Sequence, residues 1–168
     1  ITPQPFYLSV YTDPEPSAIN GIYYLVSTIS GIGGGCNLPV GVTVANQYAG
    51  SGSAINIQFQ TGTVGSLTAG SDKIFIRFPE GTKIPTYMAG TYVTINVGVD
   101  NFATSISVLN PKVSGQTIEF NIPYGMPAIG ADTPVYIYIS QAAGLVNPSI
   151  PGNYNLTVWT SKEVTEVK

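Results

Sequence analysis

The side chains that most often carry catalysis are nearly absent from this chain. Its 168 residues include no His and a single Cys, and its nine Asp and Glu are spread along the sequence. Without His there is no Ser–His or Cys–His nucleophile system, no common general base, and few ways to hold zinc. The acids form no recognisable carboxylate pair of the kind that cleaves glycosides. Gly31-Ile32-Gly33-Gly34-Gly35 has the glycines of a phosphate-cradling loop but lacks the Lys and the helix that complete one. Cys36 follows it directly. No His or Lys stands nearby to lower its pKa, so it reads as a small buried residue in a tight loop, with an intermolecular bond or reactive thiol as the alternative. Asp13, Glu15, Asp100-Asn101 and Asp132 offer oxygen ligands for weak calcium binding, yet no EF-hand spacing joins them, and they read as turn residues. The expectation is a non-enzyme without cofactor or metal. One modification motif is present: Asn155-Leu156-Thr157 is an N-glycosylation sequon, with Asn155 facing outward if the segment is a strand.

The elements that would carry these residues come from an unusual composition. Charged residues make up 9% of the chain and hydrophobic ones 43%, against about 25% charge in ordinary soluble domains. Disorder is excluded, because it goes with high charge and low hydrophobicity. A spanning helix is not expected, since no uncharged stretch stays apolar for the ~18–20 residues it needs. The net charge of −3 and six scattered Lys and Arg leave no basic stripe for nucleic acid. From Pro16 to Ser71 there is not one Asp, Glu, Lys or Arg. A surface made only of Ser, Thr, Asn and Gln is one reading; a surface covered by other subunits is the sharper one. Ser161–Lys168 differs, with four charges in eight residues, and reads as a solvated connector after a strand.

Alternating apolar residues recur along the whole chain, which predicts strands. Val40, Val42 and Val44 alternate, as do Ile55, Ile57 and Phe59, then Ile74, Ile76 and Phe78. Val93, Ile95, Val97 and Val99 follow, then Ile106 and Val108, then Ile118, Phe120 and Ile122. Val135, Ile137 and Ile139 alternate with Tyr136 and Tyr138, and Tyr154, Leu156 and Val158 close the series. Ile22–Ile29 is mostly apolar throughout, as in a buried strand. Gly and Pro punctuate the runs, and no 3.6-residue period or capping box predicts a helix. Length and pattern together predict one all-β sandwich domain over residues 14–168.

Residues 1–13 read as a separate arm. Phe6, Leu8 and Val10 alternate with Tyr7, Ser9 and Tyr11, and Asp13-Pro14-Glu15-Pro16 then breaks the pattern. A strand at a terminus frays unless a sheet holds it. Pro14 and Pro16 make a stiff, extended hinge suited to holding the arm away from its own body.

Residues 143–148, Ala143-Gly144-Leu145-Val146-Asn147-Pro148, stand near a second distinctive stretch, Pro151-Gly152-Asn153-Tyr154-Asn155-Leu156-Thr157-Val158, and then Thr160-Ser161-Lys162-Glu163. Upstream are Leu67-Thr68-Ala69-Gly70, Ile74-Phe75-Ile76-Arg77-Phe78-Pro79 and Gly81-Thr82. Over roughly residues 64–168 this resembles modules of secreted bacterial and archaeal surface proteins, including surface-layer-like proteins. The resemblance implies an immunoglobulin-like β-sandwich on the cell surface, with a jelly-roll-like arrangement as the alternative, and implies no enzyme activity. In those modules one more strand follows the Thr-Ser-Lys-Glu segment, whereas this sequence stops at Lys168. The N-terminal run would complete the module if set after Lys168.

Two arrangements use that strand. It fills its own sandwich, as in a circular permutant, or it enters a neighbour's, as in donor-strand complementation, where a head-to-tail contact propagates as a fibre. Phe6, Leu8 and Val10 buried in a groove are worth roughly 1.5–3 kcal/mol each, which serves either case. The leading expectation is the mature subunit of an extracellular filament or pilus, a homopolymer starting at Ile1 after processing. Its interface would be Phe6, Tyr7, Leu8, Val10 and Tyr11. The rival expectation is a surface-layer or adhesin module binding carbohydrate or cell-surface partners through exposed Tyr and Trp159.

Overall fold

The computed structural model of the chain describes residues 22–24, 27–28, 39–63, 65–98 and 105–162. Within them the alternating runs become strands: β1 (Ile22–Tyr24), β2 (Ser27–Thr28), β3 (Pro39–Val44), β4 (Ile55–Gln60), β5 (Lys73–Arg77), β6 (Val93–Val97), β7 (Ile106–Ser107), β8 (Lys112–Ser114), β9 (Thr117–Asn121), β10 (Pro134–Ile139), β11 (Gly152–Tyr154) and β12 (Thr157–Thr160). The only helical pieces among these residues are three-residue 3₁₀ turns at Gly90–Tyr92 and Gln141–Ala143. No helix is long and apolar enough to cross a membrane among the described residues.

Two antiparallel sheets form the body, with strand orders β2-β3-β4-β10-β6-β7 and β12-β5-β9-β8. A short parallel pair, β1 with β11, lies outside them. Period-2 alternation puts every second side chain on the inner face of each sheet. The registers align these residues into apolar rows. Val42, Ile57, Ile137, Ile95 and Ile106 stand opposite one another across five strands of the first sheet. Val158, Ile76, Ile118 and Val113 do the same across the second. Both rows belong to one core, which also holds Phe59, Phe78, Phe120 and Leu67, each fully buried. Burying side chains of this size stabilises by roughly 1.5–3 kcal/mol each. The architecture is therefore all-β, two antiparallel sheets closed over a shared core.

Three expectations change in detail. The Ile22–Ile29 run is not one strand: β1 pairs with β11 and β2 with β3. The run Tyr154, Leu156, Val158 also divides, because Gly152–Tyr154 pairs with β1 while Thr157–Thr160 pairs with β5. β8 has no counterpart in the sequence reading, because Val113 alone faces the core and gives no alternation to see. What defines β8 is its turn. Gly115, at φ 57°, starts a two-residue reversal that sets Ser114 opposite Thr117, a backbone region that favours glycine.

Candidate interaction surfaces

The outward-facing residues of the two sheets are chemically different. On the first sheet, Gly41, Gln58, Tyr136 and Asn96 form one cross-strand row, in which Asn96 is itself buried. Thr43, Asn56, Tyr138, Thr94 and Ser107 form the next. None of the six strands carries an Asp, Glu, Lys or Arg. A shallow depression of about 190 Å³ lies over Gly41, between Thr43, Asn56, Gln58 and Tyr136. A Cβ placed on Gly41 would meet nothing nearer than the Gln58 Cβ at 3.8 Å, an ordinary contact. Among the described residues packing does not demand glycine there, and glycine inside a strand otherwise weakens it. On this face Gln58 Nε2 donates to Tyr136 Oη at 3.5 Å, and Asn96 Oδ1 accepts from the Val97 N–H at 2.7 Å.

On the second sheet, Trp159, Phe75, Glu119 and Lys112 make one row across all four strands. The Trp159 and Phe75 rings stack 5.1 Å apart and 4° from parallel. The Arg77 guanidinium sits 5.2 Å from the Trp159 ring centre, within cation–π range. Lys73 Nζ donates to Glu119 Oε1 at 2.9 Å, and Lys112 Nζ lies 3.9 Å from the same oxygen. Trp159 is half-buried under these neighbours, not the open aromatic platform expected from the sequence. The prominent tyrosines are elsewhere: Tyr48, Tyr87 and Tyr124 are each more than 60% exposed.

β12 is the outermost strand of this sheet among the described residues, and Asp72 ties down its end. The Asp72 carboxylate is buried, at 7% exposure. It accepts from the Thr68 N–H at 2.8 Å and the Ser161 hydroxyl at 2.9 Å, with Lys162 Nζ 3.5 Å away. Burial pushes its pKa up, but the Thr68 and Ser161 hydrogen bonds and the Lys162 charge outweigh it and hold the carboxyl below its ordinary value. Ser161 Oγ in turn accepts from the Lys73 N–H at 3.0 Å. The charged end of the molecule thus fixes where β12 leaves the sheet.

The sequence-predicted interface residues Phe6, Tyr7, Leu8, Val10 and Tyr11, the hinge prolines Pro14 and Pro16, and Cys36 all lie outside the described residues. So does Val99. Asn155 is exposed in the two-residue link between β11 and β12, in place of the mid-strand position expected for it. No family model matches the chain, and no curated protein does. Among solved structures, the chain is similar to the crystal structure of BslA, a bacterial hydrophobin. The TM-score is 0.37 and the identity 17%, over 77% of this chain and 96% of that one. Among the described residues no three His, Cys, Asp or Glu side chains gather as a metal site.

Proposed function

We propose that this protein is the structural subunit of an extracellular filament. Copies join head-to-tail when the N-terminal strand around Phe6–Val10 enters the next copy's sandwich beside β12. The observation that supports it best is the first sheet's outer face: six strands wide and without one Asp, Glu, Lys or Arg. Water-facing sheets normally carry charge, and edge strands in particular use it to keep copies apart. A face without charge has little to repel another copy, and amide, hydroxyl and phenol groups can exchange water for one another at modest cost. The depression over Gly41 lets another surface approach the backbone without meeting a side chain.

The arm supplies direction. β1, the first described strand after it, is anchored in parallel along β11, immediately before β12. An arm ahead of such an anchored strand suits donation to a neighbouring copy. Negative-stain micrographs of the full chain and of a chain lacking residues 1–11 test the reading. The full chain gives filaments and the truncated one gives a less stable monomer. Filaments from the truncated chain would refute the proposal.

A further inference from the structure

The second sheet ends in a hollow of about 300 Å³ lined by Lys73, Leu109, Asn110, Lys112, Asn121 and Tyr124 among others. Its construction follows from the register. Lys73 stands opposite Asn121, and Lys112 opposite Glu119, so both ammonium groups rise on the same outer face two residues apart along β9. They share one carboxylate, Glu119, which Lys73 engages closely and Lys112 only at 3.9 Å. The group of three carries one net positive charge, in a protein whose net charge is −3. Lys112 is 77% exposed and available to a further anion.

Tyr124 forms the opposite wall. It is 74% exposed, yet its ring leans on Gly70, where a Cβ would land on the ring itself. Gly70 is in turn held by Asn121, whose Nδ2 donates to the Gly70 carbonyl at 3.3 Å. An aromatic that is uncovered but propped in place is a ready stacking surface, and its ordering has been paid for before any ligand arrives. Asn110, in the left-handed region at φ 45°, brings an amide to the rim.

We infer that this hollow binds an acidic polysaccharide. A uronate carboxylate pairs with the exposed Lys112 ammonium on the side away from Glu119, its pyranose ring rests on Tyr124, and the Asn110 amide meets ring hydroxyls. The hollow sits at the small end of ligand sites, about 300–1,000 Å³, and is open, which fits one sugar residue of a passing chain. A single net charge beside an aromatic also fits a carboxylated sugar better than a phosphate polymer, whose charge density calls for a basic stripe. The hollow lies at the β8 side of the second sheet, away from both the β12 margin and the uncharged first sheet where copies are proposed to meet, so it stands whether or not copies polymerise.

The test is retention of the full-length protein on immobilised polygalacturonate, with dextran and double-stranded DNA as comparison matrices. The protein should bind polygalacturonate, weaken as salt rises, and ignore dextran and DNA. Lys112→Glu should weaken binding by about tenfold, because it replaces an attraction with a repulsion at an exposed site. Tyr124→Ala should weaken it comparably by removing the stacking surface. Both side chains are exposed, so melting temperatures should stay near that of the parent and micrographs should be unchanged. No binding to polygalacturonate, binding as strong as the parent's by either variant, or equal binding to DNA would each overturn the inference.

Discussion

The sandwich has two outer faces built on one core, and they differ in how they treat water. The strands of the six-stranded sheet carry no charge, while those of the four-stranded sheet carry Lys73, Arg77, Lys112 and Glu119. Inside, the two sheets are alike, each presenting a row of Ile and Val to the shared core. Fold stability therefore places no demand on which face is charged. The difference teaches that the outer faces answer to something other than folding. Charge on one side favours solubility and, under the proposed reading, recognition of charged partners; its absence on the other would remove the repulsion that keeps copies separate.

Substitutions on the core and on each face probe that contrast. The largest effects should come from the core and should be blind to the contrast. Phe59→Ala on β4 and Phe120→Ala on β9 should each cost about 3–5 kcal/mol, because both rings are fully buried. Denaturant unfolding should place the two variants close together, and a large gap would mean the sheets do not share one core.

Next is Asp72, where the charged side holds the end of β12. Asp72→Ala removes two hydrogen bonds to a charged acceptor and strands the Thr68 N–H and Ser161 hydroxyl. A loss of about 1.5–3 kcal/mol is expected. The pH dependence has a definite sign. The folded-state pKa lies below the unfolded value, so the carboxylate stabilises fully above the ordinary Asp range, and that contribution is lost as pH falls through the lowered value. Thermal unfolding below about pH 4 should fall more steeply for the parent than for Asp72→Ala.

Smaller effects separate the faces directly. Phe75→Leu keeps apolar area but breaks the stack with Trp159, and should cost about 0.5–1.5 kcal/mol. Smallest is Glu119→Gln, which removes a partly exposed ion pair worth about 0.2–1 kcal/mol. Its effect should shrink in high salt, whereas stability changes from substitutions at Gln58 should be insensitive to salt.

Much of the fold was legible because strands with one buried face write their period into the sequence. Ile55, Ile57 and Phe59 or Val135, Ile137 and Ile139 could be read directly, and the observed burial alternates in step. Partner choice was not legible. Nothing local says that Tyr154 belongs with β1 and Val158 with β5, because pairing is decided by long-range register. The uncharged stretch from Pro16 to Ser71 was visible, but only the sheet order shows that Thr94, Asn96, Tyr136 and Tyr138 extend the same neutral face beside β3 and β4. Trp159 looked like an exposed contact residue; cross-strand stacking on Phe75 covers it instead. The hollow at Lys73, Lys112 and Tyr124 left no trace in the sequence, since its residues meet only through the β5-β9-β8 register.

The central claim is that the uncharged face, together with the arm, is where copies meet. Two double variants with the same change in net charge test it. Thr43→Lys with Gln58→Lys charges the neutral face at exposed positions. Ser114→Lys with Glu80→Gln places the same added charge at exposed positions elsewhere. Electron micrographs of both should show filaments only for the second pair, with the first left as folded, dispersed subunits. Filaments of normal appearance from Thr43→Lys with Gln58→Lys would contradict the account.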